Sequence, residues 1–92
     1  MTDSRVIHLH PSDNVAVSLS DLNPGDVIVV EDVSIPLMDP VPFGHKFSLS
    51  PLSAGDAVYK YGLPIGIMTA TVSAGCLIHV HNLKSNYSTL KK

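Results

Sequence analysis

Three segments of this 92-residue chain share one pattern, and this internal repeat restricts the fold more than any other feature. The segments, 17–25, 47–55 and 67–75, align without a gap, and each leads from an alternating stretch into a turn of the form apolar-x-x-Gly. Leu22-Asn23-Pro24-Gly25 is the first of these turns. The segments begin 30 and then 20 residues apart. Because a solenoid keeps a fixed period, these offsets favour a compact globule that reuses one turn.

A period of two dominates the apolar pattern, and no stretch shows the period of an amphipathic helix. Residues 27–30 are predicted to form a short strand that ends at an acidic turn, Glu31-Asp32. The prolines in and beside 37–43 make that stretch an extended irregular connection. The last strand of the third repeat is predicted to span 77–81. We therefore predict a mainly β domain of short, bent strands with glycine turns and little helix.

Length and composition indicate a single domain over 1–92. A chain of this size is too small to enclose a deep catalytic cavity. Hydrophobic residues make up 45% and charged residues 15%, so some apolar surface is expected to meet another protein. No apolar run is long enough to cross a bilayer, and no signal-type segment follows Met1. With Cys76 as the single cysteine, the sequence predicts a cytoplasmic protein without a membrane partner.

Charge is divided along the chain. Residues 1–40 carry seven acids and one base, whereas 41–92 carry five lysines and one acid. An anion-binding surface is therefore expected in the second half. Nucleic acid is a poor candidate partner, because the lysines are scattered, tryptophan is absent and aromatic residues are 5% of the chain.

Two histidines near the end of the third repeat are the first candidates for chemistry. His79 and His81 are two residues apart, and on the predicted strand both would project from one face. Imidazoles at this spacing can bind one metal ion or transfer protons. Two histidines do not complete a metal site, and on the motif alone a strand edge with hydrogen-bonded polar residues is the favoured interpretation. His8 and His10 have the same spacing, and a solvated strand start is the favoured interpretation for them.

Two further segments carry polar groups on restricted backbone. Gly44-His45-Lys46 places two cationic side chains on opposite faces of an extended segment, so that one can face a ligand. Lys60-Tyr61 begins a shaped loop, Gly62-Leu63-Pro64-Ile65-Gly66. Such a loop suits ligand binding, and a tight turn between strands explains it equally well. Asp13-Asn14 is interpreted as a local Asx-type turn.

Four motifs in order together resemble a known family. They are Asp13-Asn14-Val15-Ala16-Val17, Gly44-His45-Lys46-Phe47, Lys60 to Gly66, and His79-Val80-His81-Asn82. The chain is similar over about 6–84 to the SAF (β-clip) domain of the altronate/galactarate dehydratase family. The resemblance implies a small β-clip fold with a core at about 6–84 and short flexible tails. In that family the domain is joined to a larger metal-dependent catalytic portion, or forms a separate small subunit as in sulfolactate sulfo-lyase.

The resemblance implies a non-autonomous part of a lyase, either a small subunit or an N-terminal domain. The reaction would be β-elimination of water from a sugar acid such as altronate or galactarate. The implied partners are that anionic substrate and a large catalytic subunit, which would hold most of the ligands of Fe²⁺ or another divalent metal. A sulfo-lyase small subunit, a non-catalytic binding module for anionic carbohydrates, a structural subunit and a homo-oligomer remain alternatives.

The resemblance also assigns roles to residues. The catalytic candidates are His45, His79 and His81, of which His79 and His81 are also candidate metal ligands. The candidates for substrate binding are Lys46, Lys60, Tyr61 and Asn82.

Overall fold

The computed structural model describes residues 1–85, and every regular element in that range is a β-strand. The strands are β1 (Val6–Ile7), β2 (Val15–Ser18), β3 (Val27–Val30), β4 (Val33–Pro36), β5 (Lys46–Ser48), β6 (Ala57–Lys60), β7 (Leu63–Met68), β8 (Leu77–Ile78) and β9 (Leu83–Ser85). The prediction of a small, mainly β domain of short strands is confirmed. In this range no helix has the length and apolar character needed to cross a membrane.

All strand pairs are antiparallel, and they form three small sheets. The central sheet has the order β1-β2-β5-β8. β2 and β5 lead into the turns of the first and second repeats, whereas β8 follows the turn of the third. The hairpin β3-β4 follows the first turn, and β6 follows the second. The strand that leads into the third turn, β7, lies in the separate sheet β6-β7-β9.

The central sheet separates two apolar cores. Ala16, Phe47 and Leu77 are neighbours in register, and they contact the core around β3-β4. Val15 and Ile78 belong to the other core, which surrounds β6 and β7 and includes Val58 and Met68. Alternate residues of one strand point to opposite faces of a sheet, so the period of two in the sequence supplies both cores. This places Lys46, the partner of Ile78 in the register, on the same face as the second core.

The repeat is visible in equivalent hydrogen bonds. The carboxylate of Asp26 accepts the Asn23 amide at 2.9 Å, and that of Asp56 accepts the Ser53 amide at 2.7 Å. Gly25 and Gly55 have φ values of 91° and 96° at the same position in the repeat, which is the left-handed region that favours glycine. In every repeat the glycine is followed by one residue and then by a strand, but in the third repeat that residue is Cys76 and the strand, β8, belongs to the central sheet. No hairpin separates this turn from the central sheet.

Several local predictions hold, and one is wrong. The turn Glu31-Asp32 joins β3 to β4 with positive φ at both residues, and residues 37–43 contain no strand. The strand predicted over 77–81 ends at Ile78, however, and residues 79–82 form a turn.

The N-terminal residues contact the β3-β4 hairpin, where the Asp3 amide donates to the Val29 carbonyl at 2.7 Å. Residues 86–92 of the predicted C-terminal tail lie outside the described residues.

Candidate functional site

Two histidines from different repeats lie next to each other at one end of the central sheet. His45 directly precedes β5 and His79 directly follows β8, and the register Lys46↔Ile78 makes these residues cross-strand neighbours. Their ring centroids are 5.0 Å apart and their planes are tilted by 50°. His79 is exposed and His45 is partly buried. The pair places two imidazoles side by side, and imidazole is the side chain most often used as a general acid or base.

A lysine pair lies on the side of this sheet that faces the second core. Lys46 in β5 is partly buried, and Lys60 is the last residue of β6. Burial lowers the pKa of the Lys46 ammonium below its usual range, and the neighbouring charge of Lys60 lowers it further. Within residues 1–85 the ion pairs involve Met1, Arg5 and His8, and neither lysine takes part in one. A desolvated ammonium next to a second cation is a binding site suited to an anion.

The hairpin tip after Lys60 has an unusual backbone. Tyr61 and Gly62 are the two central residues between β6 and β7, with φ values of 63° and 74°. Positive φ at both positions is the type I′ arrangement, in which Asn-Gly is the favoured pair. A tyrosine in the left-handed region is a genuine outlier. Its side chain is also 68% exposed, so the fold holds a large aromatic group in solvent on a constrained backbone.

Comparison with known proteins identifies the kind of domain. The family model of the altronate/galactarate dehydratase SAF domain matches residues 4–86. The chain belongs to this family. It is 44% identical over 84 residues to the altronate dehydratase of Escherichia coli (strain K12), and 39% identical over 85 residues to that of Bacillus subtilis (strain 168). These matches cover 91% and 92% of this SAF domain but only 17% of each dehydratase.

A second kind of relative is a lyase subunit. The SAF domain is 44% identical over 45 residues to the (2R)-sulfolactate sulfo-lyase subunit alpha of Paracoccus pantotrophus. This match covers 49% of the SAF domain and 67% of the subunit. The relatives are therefore much longer dehydratases and a subunit of a lyase, and the SAF domain spans about one sixth of the dehydratases that it matches.

The SAF domain does not place His79 and His81 as the sequence suggested. The prediction that both project from one strand face is wrong, because the strand ends before them and they occupy a turn. His79 instead neighbours His45 across the sheet. Both histidines in the turn are exposed, and Val80, which is 82% exposed, lies between them.

Asn82 has a different environment from the other predicted ligands. Its side chain is 5% exposed. The amide oxygen accepts the His79 backbone N–H at 2.9 Å, and the amide nitrogen donates to the Leu77 carbonyl at 2.9 Å. These bonds close the turn at 79–82. Asn82 thus shapes the loop that carries His79 and His81, and its amide is directed inward.

A complete metal centre is not built from the described residues. Residues 1–85 contain no group of three or more His, Cys, Asp or Glu side chains placed to hold a metal ion. His79 and His81 can contribute at most part of a coordination shell that needs four to six ligands. The Fe²⁺ implied by the resemblance therefore does not fit this part of the chain alone.

Sequence reasoning missed the residues that hold the hairpin tip. Asp13 is 6% exposed, and its two carboxylate oxygens accept the backbone N–H groups of Tyr61 and Gly62 at 2.9 and 2.8 Å. Asn14 binds the start of the same hairpin, accepting the Tyr59 N–H at 2.8 Å. The interpretation of Asp13-Asn14 as a local turn is wrong, because the side-chain oxygens of both residues accept hydrogen bonds from residues more than forty positions away. His8, predicted to be solvated, has a side chain only 6% exposed.

Proposed function

We propose that this SAF domain contributes a carboxylate-binding surface with two proton-transferring histidines to a sugar-acid dehydratase. The observation that carries the proposal is Lys46, a partly buried ammonium that lies beside Lys60 and forms no ion pair within the described residues. An uncompensated charge of this kind costs free energy in the isolated fold. A substrate carboxylate at Lys46 and Lys60 would remove that cost.

The residues fit the requirements of β-elimination. Removal of the proton next to a carboxylate leaves negative charge on the carboxylate, and Lys46 with Lys60 stabilise that charge. A base must take the proton, and an acid must protonate the departing hydroxide. His45 and His79, with rings 5.0 Å apart, supply two imidazoles, the side chain most often used as a general acid or base. Tyr61, next to Lys60, and His81, two residues after His79, are the further candidates for contact with the sugar acid.

The remaining parts of the reaction are assigned to a larger protein portion. The dehydratase relatives contain about five sixths of their length outside the matched region. We infer that this portion, in the same chain or in a separate large subunit, holds the divalent metal and most of the substrate-specific contacts. Altronate and galactarate are the proposed substrates, and a sulfo-lyase small subunit is the second candidate because of its matched alpha subunit.

Binding of galactarate to the isolated chain tests the proposal. We expect the dianion to shift the NMR signals of His45, Lys46, Lys60 and His79, and Lys46→Met to weaken the affinity by about tenfold, or ~1.4 kcal/mol. Lys84→Met is the matched control, because Lys84 is exposed on β9, and its affinity should stay at the wild-type value. Signal changes confined to residues far from Lys46 would contradict the proposed site. If the wild-type chain binds galactarate but Lys46→Met does not slow dehydration by the assembled dehydratase, a non-catalytic binding module would be favoured.

Lys46 also predicts a pH dependence of stability. Its pKa in the folded chain lies below the ordinary lysine value of 10.5, so the unfolded chain holds this proton more tightly. Stability from this group therefore rises as the pH increases from the folded-state pKa to the unfolded-state pKa, and the charge opposes folding at neutral pH. Lys46→Met should raise the free energy of unfolding at neutral pH by up to about 1 kcal/mol. Urea titrations at neutral pH and near pH ~10 should show this gain shrinking as the pH rises. A Lys46→Met domain less stable than wild type at neutral pH would contradict this account.

A further inference from the structure

The conformation of Tyr61 requires an explanation, and this inference rests on the proposed function. An Asn-Gly pair would form the same turn without a bulky side chain at positive φ. The chain instead has Tyr61 at φ 63° with its ring exposed. Backbone outliers of this kind persist only where the surrounding structure holds them in place.

The loop between β1 and β2 provides that support. The carboxylate of Asp13 binds both consecutive N–H groups of the tip, at 2.9 Å from Tyr61 and 2.8 Å from Gly62. On the other side of the tip, the imidazole ring of His10 lies so close to Gly62 that an added Cβ would be 3.0 Å from it. The His10 ring is itself held, because its Nδ1 accepts the Ser12 N–H at 3.1 Å. We call residues 10–14 the clamp loop.

The clamp loop also fixes the strand that leads to the tip. Asn14 accepts the Tyr59 N–H at 2.8 Å and donates to the Ala57 carbonyl at 2.9 Å. The clamp loop therefore contacts β6 at its start, in its middle and just beyond its end. Lys60 lies between these contacts. At the equivalent tip of β3-β4 two separate groups take the place of one carboxylate, since the Glu31 and Asp32 amides bind the Thr2 hydroxyl and the Met1 carbonyl.

We propose that Asp13 is a positioning residue that, through the clamp loop, holds Lys60 and Tyr61 in the geometry needed to bind a carboxylate ligand. Asp13 is buried beneath the tip and does not touch the ligand. Its two oxygens select the backbone conformation in which consecutive N–H groups point inward. The backbone that carries the lysine and the tyrosine is then fixed before the ligand arrives, which reduces the entropy lost on binding.

The test compares Asp13→Asn with Asp26→Asn in the full chain. Asp26 also caps a turn with its carboxylate, but in the first repeat, away from Lys60. Two quantities are measured: the affinity for galactarate, and the strong NOE between the amide and α protons of Tyr61 that marks positive φ. Asp13→Asn should lose this NOE and weaken galactarate binding by about tenfold, because small displacements of a binding group have large effects. Asp26→Asn should retain both the Tyr61 NOE and the wild-type affinity for galactarate.

Each outcome decides the proposal. A Tyr61 NOE that persists in Asp13→Asn overturns it, and so does wild-type galactarate affinity in a variant that has lost the NOE. If the wild-type chain binds no galactarate, the proposed function fails, and the NOE comparison still shows whether Asp13 sets the tip. If Asp13→Asn does not fold, the Tyr61→Asn variant and the double variant Asp13→Asn/Tyr61→Asn are compared instead. The Tyr61→Asn change should raise the Tm by about 4 °C and allow the Asp13→Asn change to be tolerated. A double variant that remains unfolded would show that Asp13 is structural only.

Discussion

Gly75→Ala is expected to destabilise the domain by about 3 kcal/mol or more, enough to unfold much of a chain this small. Two effects combine at this position. The φ of Gly75 is 86°, where an L side chain is strained by about 1–2 kcal/mol. A Cβ would also overlap the backbone carbonyl oxygen of Pro36, which belongs to β4 and has little freedom to move. Urea unfolding monitored by circular dichroism measures the loss.

Gly55→Ala is the matched control for this prediction. Gly55 occupies the same position in the second repeat, with φ 96°, and no heavy atom lies within 4 Å of an added Cβ. It should lose only the conformational part, about 1–2 kcal/mol. The difference between the two variants isolates the contact with Pro36. Equal losses would show that the third turn does not pack against β4 as the structure has it.

Loss of His79 is expected to have the largest effect on activity. The test uses a chimera in which this SAF domain replaces the matched 84 residues of full-length E. coli altronate dehydratase. In this chimera, His79→Ala and His45→Ala should each lower the rate of altronate dehydration by about 10²–10⁴-fold, the usual contribution of a general acid or base. The double variant should lose much less than the product of the two single effects, because the rings are in contact.

Lys84→Met serves as the control in the chimera, and its activity should stay near that of the parent. Single histidine variants that keep most of the activity would leave the SAF domain with a structural role only. A chimera without activity would contradict the proposal that this SAF domain serves a sugar-acid dehydratase. These results separate the three classes of function that the sequence left open.

The strands and turns of the fold could be predicted because residues close together in the sequence specify them. The alternating apolar residues and the apolar-x-x-Gly turns specify strands and turns over fewer than about ten residues. The turn at Glu31-Asp32 and the irregular stretch 37–43 followed from acids and prolines in the same way. The end of β8 was missed because Leu77 to His81 continues the alternation, while Asn82 folds back to bind His79 and Leu77.

The candidate site was predicted only in part because its key contacts are non-local. Residue types and motifs identified His45, Lys46, Lys60 and His79, and the structure brings His45 to His79 and Lys46 to Lys60. His79 pairs with His45 and not, as expected, with His81, because the register of β5 and β8 determines which residues are cross-strand neighbours. Asp13 was missed because nothing in its neighbours indicates that it binds a turn 48 residues away. Such a contact is visible only in the folded chain.

Direct titration of the Lys46 ammonium by NMR tests the central claim most directly. The account predicts that the Lys46 pKa lies below the ordinary lysine value in the free chain, because the group is partly buried beside Lys60. It also predicts that saturating galactarate raises this pKa, since a bound carboxylate favours the charged form. Lys84 should titrate without responding to galactarate. A Lys46 pKa at the ordinary value, unchanged by galactarate, would contradict a carboxylate-binding site at this position.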